Sequence, residues 1–483
     1  MKVSFIIPPV LDNTANVDRC FGCNYNIYFL PLLPVLYSAT MIKGDVESVS
    51  ITDFAALGRS AQEFKDFIAA DNSDVYVFYT VFLSQNTDLA ARQLIRARHP
   101  HARFIFFGPQ ATYAAPSFLD AEDTVLVRGE PEFVMQELIR KLACGADFTA
   151  IRGISFRHGG AAVDNPPAPL ISDIDSLPIP DRALLDHSPY CNPKLSRLPH
   201  TAALTSRGCF GQCWYCVPNS LSYAREIEYK KYLGHKPPAR LHSARRVIDE
   251  FRAIAGQGFK SVSIIDDQFI WDEARTIEIC RGIKDLNLEW SCLCRPEKIS
   301  REVAEAMAEA GCGYVDLGTE SFDENVLASI KKNMSPGDTK EAVEVLRKAG
   351  IEVEINILLG ATPVETEASI KKTLREVRRL NADYVLFSIA NPFPGTEFYQ
   401  AAKAQGWMYY GDYVPVDPAK SSIISYPHLS KKRLEQLLAH AYLSFYLNPA
   451  YLVRQVLKIR SFSEFKSKFR AFANFMYKNF IKK

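Results

Sequence analysis

Twice along this chain, runs of β-branched and aromatic residues alternate with stretches of helical periodicity, and a proline-rich segment separates the two series. A strand that is apolar on both faces must be covered on both, so each series reads as a parallel sheet wrapped in crossover helices. The first series runs VSFII, an apolar helix near residues 33–42, VESVSI, a helix near 61–70, VYVFYTV, a helix near 87–98 and RFIFFG. It predicts an open α/β domain over residues 1–145, with ligands beyond the carboxyl ends of its strands. The stretch NPPAPLISDIDSLPIPDRALLDHSPY is too rich in proline for regular structure, so residues 146–198 are expected to be a linker. Six strand–helix repeats then fill residues 199–400, from AALTS to YVLFSIA, and suit a partial parallel barrel with its chemistry at the strand carboxyl ends. Residues 401–483 turn helical.

Charge and cysteine usage narrow the function. Lysine plus arginine (57) nearly balances aspartate plus glutamate (55), which argues against a protein built to bind nucleic-acid phosphates. Eleven cysteines at irregular spacing do not form a disulfide framework, and three of them fall within eight residues, so reduced thiols, a metal site and a cytoplasmic setting are expected. The start, MKVSFIIPP, reads as a first buried strand and not a secretory signal. Residues 25–42 lack charge, but Pro31 and Pro34 interrupt them and they barely reach bilayer length, so a buried helix is expected. From Tyr451 to Lys483, nine basic residues stand against Glu464 alone and are interleaved with phenylalanines. That tail is either a solvated helical face or an interfacial helix making peripheral contact with the inner membrane face.

The most specific motif is TSRGCFGQCWYC. Its cysteines, Cys209, Cys213 and Cys216, lie four and then three residues apart in a loop directly after an apolar strand. Thiolates spaced this closely can hold three irons of one cubane and leave the fourth iron open to a small molecule. A structural zinc would need a fourth ligand, with Cys191 or His200 the nearest. Trp214 and Tyr215 either wall an adenine or pack in the core.

CxxxCxxC after the first strand of a six-repeat βα unit resembles the radical S-adenosylmethionine (SAM) superfamily. The resemblance continues through DDQF (Asp266 to Phe269), GTES (Gly318 to Ser321), LLGATPVET (Leu358 to Thr366) and PFPGT (Pro392 to Thr396). It implies a [4Fe-4S] cluster on the three cysteines and SAM contacts from Tyr215, Asp266, Asp267, Arg295, Glu320, Ser321 and Glu365. The segment holding Glu365 is one residue longer than the family pattern. For Asp267 and Glu320 the ordinary alternative is a carboxylate capping a helix, and for Arg295 a surface salt bridge.

The N-terminal unit resembles the Rossmann-like cobalamin-binding domain that precedes the radical domain in one branch of that superfamily. The matching stretches are PLLPVLYSATMIKG, FGPQAT and RGEPE, and they imply corrin contacts from Ser84, Gly108 and Thr112. The usual lower ligand is a histidine after the first strand, whereas the first histidine here is His99. Two readings are open: cobalamin without a histidine ligand, which is favoured, or a domain that keeps the fold without the cofactor. Cys20 and Cys23 form a CxxC without a partner pair.

The resemblance implies SAM cleavage to a 5′-deoxyadenosyl radical and cobalamin-dependent methylation of an unactivated carbon in an apolar small molecule, lipid or tetrapyrrole. It also implies a reductase, ferredoxin or flavodoxin as electron donor. The alternatives are an anaerobic oxidative cyclase or carbon–carbon coupling enzyme, and a non-enzymatic iron–sulfur or cobalamin-binding regulator.

Overall fold

The computed structural model describes residues 1–12, 14–22, 24–25 and 28–457. Its first sheet contains β1 (Lys2–Ile7), β2 (Ser48–Asp53), β3 (Val75–Tyr79), β4 (Arg103–Phe107), β5 (Thr124–Val127), β6 (Ile154–His158) and β7 (Ala161–Asp164), in the order β2-β1-β3-β4-β5-β6-β7. The first five strands are parallel, and the last two add on antiparallel. This order reverses direction between β1 and β3, which opens a crevice at their carboxyl ends.

The expected linker therefore begins later than proline content suggests, because β6 and β7 fall inside residues 146–198 and belong to the first sheet. Gly159 (φ 57°) and Gly160 (φ 83°) make the tight turn between them, a two-glycine hairpin signal present in the sequence. The segment beyond Asp164 is irregular but not loose. Arg182 is buried and donates to Ala202 O (2.7 Å) and Glu250 Oε1 (2.7 Å), while Tyr190 Oη donates to Asp53 Oδ2 (2.9 Å).

The second unit comprises β8 (His200–Ala203), a two-residue pair of β9 (Ser206–Arg207) and β10 (Arg240–Leu241), and then β11 (Ser261–Ile264), β12 (Glu289–Cys294), β13 (Cys312–Glu320), β14 (Glu352–Leu359) and β15 (Tyr384–Ile389). All but β9 and β10 form one six-stranded sheet, ordered β15-β14-β13-β12-β11-β8 and parallel throughout, which is the expected open half-barrel. Its crossover helices start cleanly: Ser243, Asp272, Ser300, Ser335 and Thr366 each accept a hydrogen bond from the amide three residues on.

Side-chain alternation sorts the two faces of this sheet. Val315 and Leu317 of β13, Val353, Ile355 and Ile357 of β14, and Val385, Phe387 and Ile389 of β15 join the main apolar core under the helices. The opposite, concave face receives Ser263, Ser291, Asp316, Glu354, Asn356 and Ser388 together with Leu293, Leu358 and Leu386, so the chamber of the half-barrel mixes polar and apolar lining. Residues of the preceding segment close its base: Asn192 Nδ2 donates to Ser263 Oγ (3.2 Å), and Lys194 Nζ donates to Glu354 Oε2 (2.5 Å) and Tyr314 Oη (2.6 Å).

The uncharged stretch near residue 33 forms the buried helix Leu33–Ile42. Among the described residues, no helix is long and apolar enough to cross a membrane. At the other end, the helix Lys431–Tyr446 packs on β15, with Tyr442 Oη donating to Phe387 O (2.7 Å). The basic aromatic tail from residue 458 onward lies outside the described residues, as does Cys23 of the CxxC.

Candidate functional site

The cysteine loop leaves the barrel through β9 and returns through β10, so this pair fixes the base of the excursion between residues 208 and 239. Gly208 begins the loop at φ +90°, and a side chain there would meet Arg225 Nη2 at 2.3 Å. Asp267 then ties both ends of the loop together. Its Oδ2 accepts from Gly208 N (3.1 Å) and its Oδ1 from Asn219 N (2.6 Å). Further along, Trp214 Nε1 donates to Ala361 O (2.9 Å), and the indole packs against Phe398 with ring centres 5.1 Å apart.

Inside the loop, Gly211 N donates to Cys209 Sγ (3.3 Å). A Cβ on Gly211 would stand 3.4 Å from Cys209 Sγ, 3.8 Å from Cys213 Sγ and 3.0 Å from Arg295 Nη1, so glycine leaves open a cradle shared by two thiols and a guanidinium. Cys209, Cys213 and Cys216 are all free thiols. Burial pushes the Cys209 and Cys216 thiols up, and Lys236 pulls both the other way. Among the described residues, no three histidine, cysteine or acidic side chains converge on a single-ion site. Three soft thiols on one loop, flanked by cations, fit a cluster in which each sulfur binds its own iron. Of the two candidates for a zinc's fourth ligand, the His200 ring is engaged at the barrel base, with Nδ1 2.8 Å from Ser261 Oγ and Nε2 3.3 Å from Ser263 Oγ, while Cys191 is a free thiol.

The structure divides the expected SAM contacts into two groups. Glu320 and Tyr215 meet beside the cluster loop. A register break in β13 and φ of +66° turn Glu320 to the concave side, where Lys332 Nζ lies 3.1 Å from its Oε1 and the Tyr215 phenol is within its hydrogen-bonding reach. Arg295 is buried with them: Nη1 is 3.9 Å from Cys213 Sγ, Nη2 donates to Lys332 O, and Nε pairs with Glu297.

The other residues are committed to the scaffold. Asp266 accepts from Thr205 N (2.6 Å), Thr205 Oγ1 (2.6 Å) and Ser206 Oγ (2.7 Å), and burial pushes its carboxyl up to about 6 against those bonds. It fastens β11 to the strand leading into the loop, while Asp267 holds the loop itself. Ser321 points to the helix side, with Oγ 3.1 Å from Thr373 Oγ1. Glu365 staples its own turn by accepting from Gly360 N (2.5 Å), and burial pushes it up to about 8. In this structure these four side chains fasten the loop and the turns that border the site.

At the carboxyl ends of the first sheet, Ser84 Oγ donates to Asp88 Oδ2 (2.7 Å) and Thr112 Oγ1 donates to Gly108 O (2.9 Å), so these polar groups are also internally satisfied. Gly108 has φ of +107°, and a side chain there would meet Thr80 O at 2.6 Å. Beside them Gln110, which the sequence did not single out, is buried with its Oε1 unpartnered. Phe82 packs near Tyr113, Tyr223, Phe393 and Tyr413 as an aromatic wall. His99 lies elsewhere, with its ring Nε2 2.7 Å from Ile68 O. Lys236, Lys332, Asp316 and Asn356 were missed too. A lysine in an irregular loop has no spacing to betray it, whereas an acid and an amide at inward positions of apolar strands were visible signals.

A parallel half-barrel with three free thiols in the loop after its first strand defines a class of cluster-binding α/β proteins, and the comparisons agree. Residues 204–377 match the Radical SAM superfamily, so the chain contains a radical SAM domain, which makes it an enzyme that uses a [4Fe-4S] cluster and SAM. It is 29% identical over 470 residues to a Pyrococcus horikoshii protein named an uncharacterized methyltransferase, covering 96% of each chain. It is 24% identical over 420 residues to the anaerobic magnesium-protoporphyrin IX monomethyl ester cyclase of Cereibacter sphaeroides, covering 83% of this chain and 64% of that one. Among solved structures, the radical SAM methyltransferase TsrM of Kitasatospora setae, with cobalamin and cluster bound, superposes with a TM-score of 0.63 at 18% identity, over 84% of this chain and 75% of the other. The cobalamin-dependent enzyme OxsB superposes with a TM-score of 0.69 at 13% identity, over 98% of this chain and 70% of the other. These superpositions establish the two-unit fold.

Proposed function

We propose that the chain is a cobalamin-dependent radical SAM methyltransferase. The observation that carries this reading is the direct seating of the first sheet's carboxyl ends on the helix that leaves the cysteine loop. Tyr79 Oη at the end of β3 donates to Ser220 Oγ (2.5 Å), the first residue of the helix Ser220–Leu233. A carrier held at those ends would face the chamber mouth. Gln110 Oε1 is a buried acceptor awaiting a donor, which suits the amide-bearing rim of a corrin, and Gly108 keeps the neighbouring backbone free of side-chain bulk. When bound, the cluster with SAM supplies a carbon radical and cobalamin supplies a transferable methyl group. The chain's own part is to place Cys209, Cys213 and Cys216 around the cluster, to hold Glu320 and Tyr215 beside it, and to keep water from the reacting groups.

The chamber refines the expected substrate. Asn356 Nδ2 donates to Asp316 Oδ1 (2.7 Å), and Asn356 Oδ1 is buried without a partner. Burial and neighbouring Glu354 push Asp316 up to about 7, with Lys194 opposing. Such a lining favours a small molecule that brings a hydrogen-bond donor along with its apolar body. Relatives named hopanoid C-3 methylase and bacteriochlorophyllide d methyltransferase suit that description. The electron would come from a ferredoxin, flavodoxin or reductase, and the basic tail would supply contact with an anionic membrane surface.

Anaerobic reconstitution with hydroxocobalamin or methylcobalamin, followed by gel filtration and turnover with methyl-labelled SAM, tests the reading. It predicts cobalamin retained in the protein fraction, a spectrum that His99→Ala leaves unchanged, and label in the product. The second reading is a corrin-free oxidative cyclisation, favoured by the internal satisfaction of Ser84 and Thr112. Formation of 5′-deoxyadenosine without retained cobalamin would decide for it.

A further inference from the structure

Three cation–carboxylate pairs stand around the cysteine loop. Arg295, with Nη1 3.9 Å from Cys213 Sγ, pairs with Glu297. Lys332, whose backbone O accepts from Arg295 Nη2, pairs with Glu320 at 3.1 Å. The third pair, Lys236 and Glu226, comes from the segment between the loop and β10 and touches none of the residues expected at SAM. Lys236 Nζ donates to Gly211 O (3.0 Å), between Cys209 and Cys213, and lies 3.3 Å from Glu226 Oε1. The Glu226 side chain is only 4% exposed, and its Oε2 is 3.2 Å from Lys230 Nζ.

The electrostatics of this third pair are directional. Burial works against the Lys236 charge, yet Glu226 beside it holds its ammonium above the ordinary range. Neither charge is well hydrated, so both act on the sulfurs at low local dielectric. Other charges facing the pair are Arg225 and Asp267: Arg225 contributes a guanidinium whose Nε and Nη2 are buried and unpartnered, and Asp267 is already bound to Gly208 and Asn219.

We propose that Lys236 and Glu226 are opposing positioning residues that set the reduction potential of the cluster on Cys209, Cys213 and Cys216, Lys236 raising it and Glu226 lowering it. One-electron reduction adds one negative charge and no proton, the electron coming from an external low-potential donor. A buried ammonium beside the sulfurs stabilises that added charge, and a buried carboxylate opposes it. The Lys236 bond to Gly211 O keeps the ammonium against the loop, so its influence does not depend on a mobile surface chain.

The inference rests on the cluster reading, and the test separates the two. The full-length chain, its Lys236→Gln, Lys236→Arg and Glu226→Gln variants are reconstituted anaerobically, assayed for iron and sulfide, and titrated with dithionite while the reduced-cluster resonance is followed. A parent chain without cubane iron would refute the cluster reading itself. With iron content equal to the parent, the proposal expects a more negative midpoint for Lys236→Gln, a more positive one for Glu226→Gln, and a near-parental one for Lys236→Arg. A purely structural role would lower iron content in both neutral variants and move their midpoints the same way or not at all, and that result would overturn the proposal. If Lys236→Gln fails to hold iron, Glu226→Gln decides alone: no upward shift refutes the assignment.

Discussion

Replacing Arg207 with glutamine should uncouple the two units of the chain. Arg207 lies in β9 immediately before the cysteine loop, 1% exposed, with Nη1 3.0 Å from Glu130 Oε1 and Nη2 2.6 Å from Glu132 Oε1. Both carboxylates belong to the first unit, just beyond β5. Glu130 also binds Arg240 of β10 and accepts from Ile171 N (3.0 Å), whereas Glu132, with a fully buried side chain, keeps no other cation at ion-pair distance among the described residues. Removing one partner of such a pair leaves a buried charge uncompensated and costs about 3–5 kcal/mol. Scanning calorimetry should show the first unit melting earlier and apart from the barrel, and the double variant Arg207→Gln/Glu132→Gln should recover much of the loss.

The pH dependence of this loss has a definite sign. Burial raises Glu130, but Arg207 and Arg240 outweigh it and lower the carboxyl from 4.5 to about 2. A lowered acid contributes stability above its unfolded value and loses it as pH falls through the folded one. The part of the deficit that runs through Glu130 should therefore be present above pH 4.5 and shrink between pH 4.5 and 2. A variant that melts like the parent at pH 7, or a deficit that grows on acidification, would refute this account.

Asp267→Ala should leave the amide of Asn219 unmet, at about 1–3 kcal/mol, and leave Gly208 N with Ser222 Oγ (3.1 Å) alone, so cluster content after reconstitution should fall while far-ultraviolet dichroism stays close to the parent's. Glu365 has the opposite linkage to Glu130. Burial raises it from 4.5 to about 8, so its contribution is complete below pH 4.5 and fades as pH rises through 8, and Glu365→Gln should flatten that part of the stability profile. Removing residues 458–483, while keeping Tyr451, whose Oη donates to Asp383 O (3.2 Å), should weaken binding to anionic vesicles at low salt without changing the melting temperature. Equal vesicle binding would leave the tail as a solvated face.

Both sheets were legible because a parallel strand is buried on two sides and must read as an apolar run: VYVFY, RFIFF and EVEINILL all became strands. Proline obscured β6 and β7, since the prolines come after Asp164 and drew the linker boundary forward over a short hairpin. The cysteine triplet was legible because three ligands of one cluster must be close in the chain. The strand-end carboxylates were less so. Adjacent in sequence, Asp266 and Asp267 show the same motif letters whatever they bind, and their donors at Thr205, Ser206, Gly208 and Asn219 come from chain distances that no local pattern encodes. Lys236 reaches the loop across 25 residues of helix and turn, a contact that no local pattern encodes.

The most direct test of the central claim is the metal content and spectrum of anaerobically reconstituted protein, with and without SAM. The account predicts about four irons and four sulfides per chain, a cluster resonance that changes when SAM is added, and loss of both in Cys209→Ala, Cys213→Ala and Cys216→Ala. Tightly bound zinc without iron, or a cluster indifferent to SAM, would contradict it.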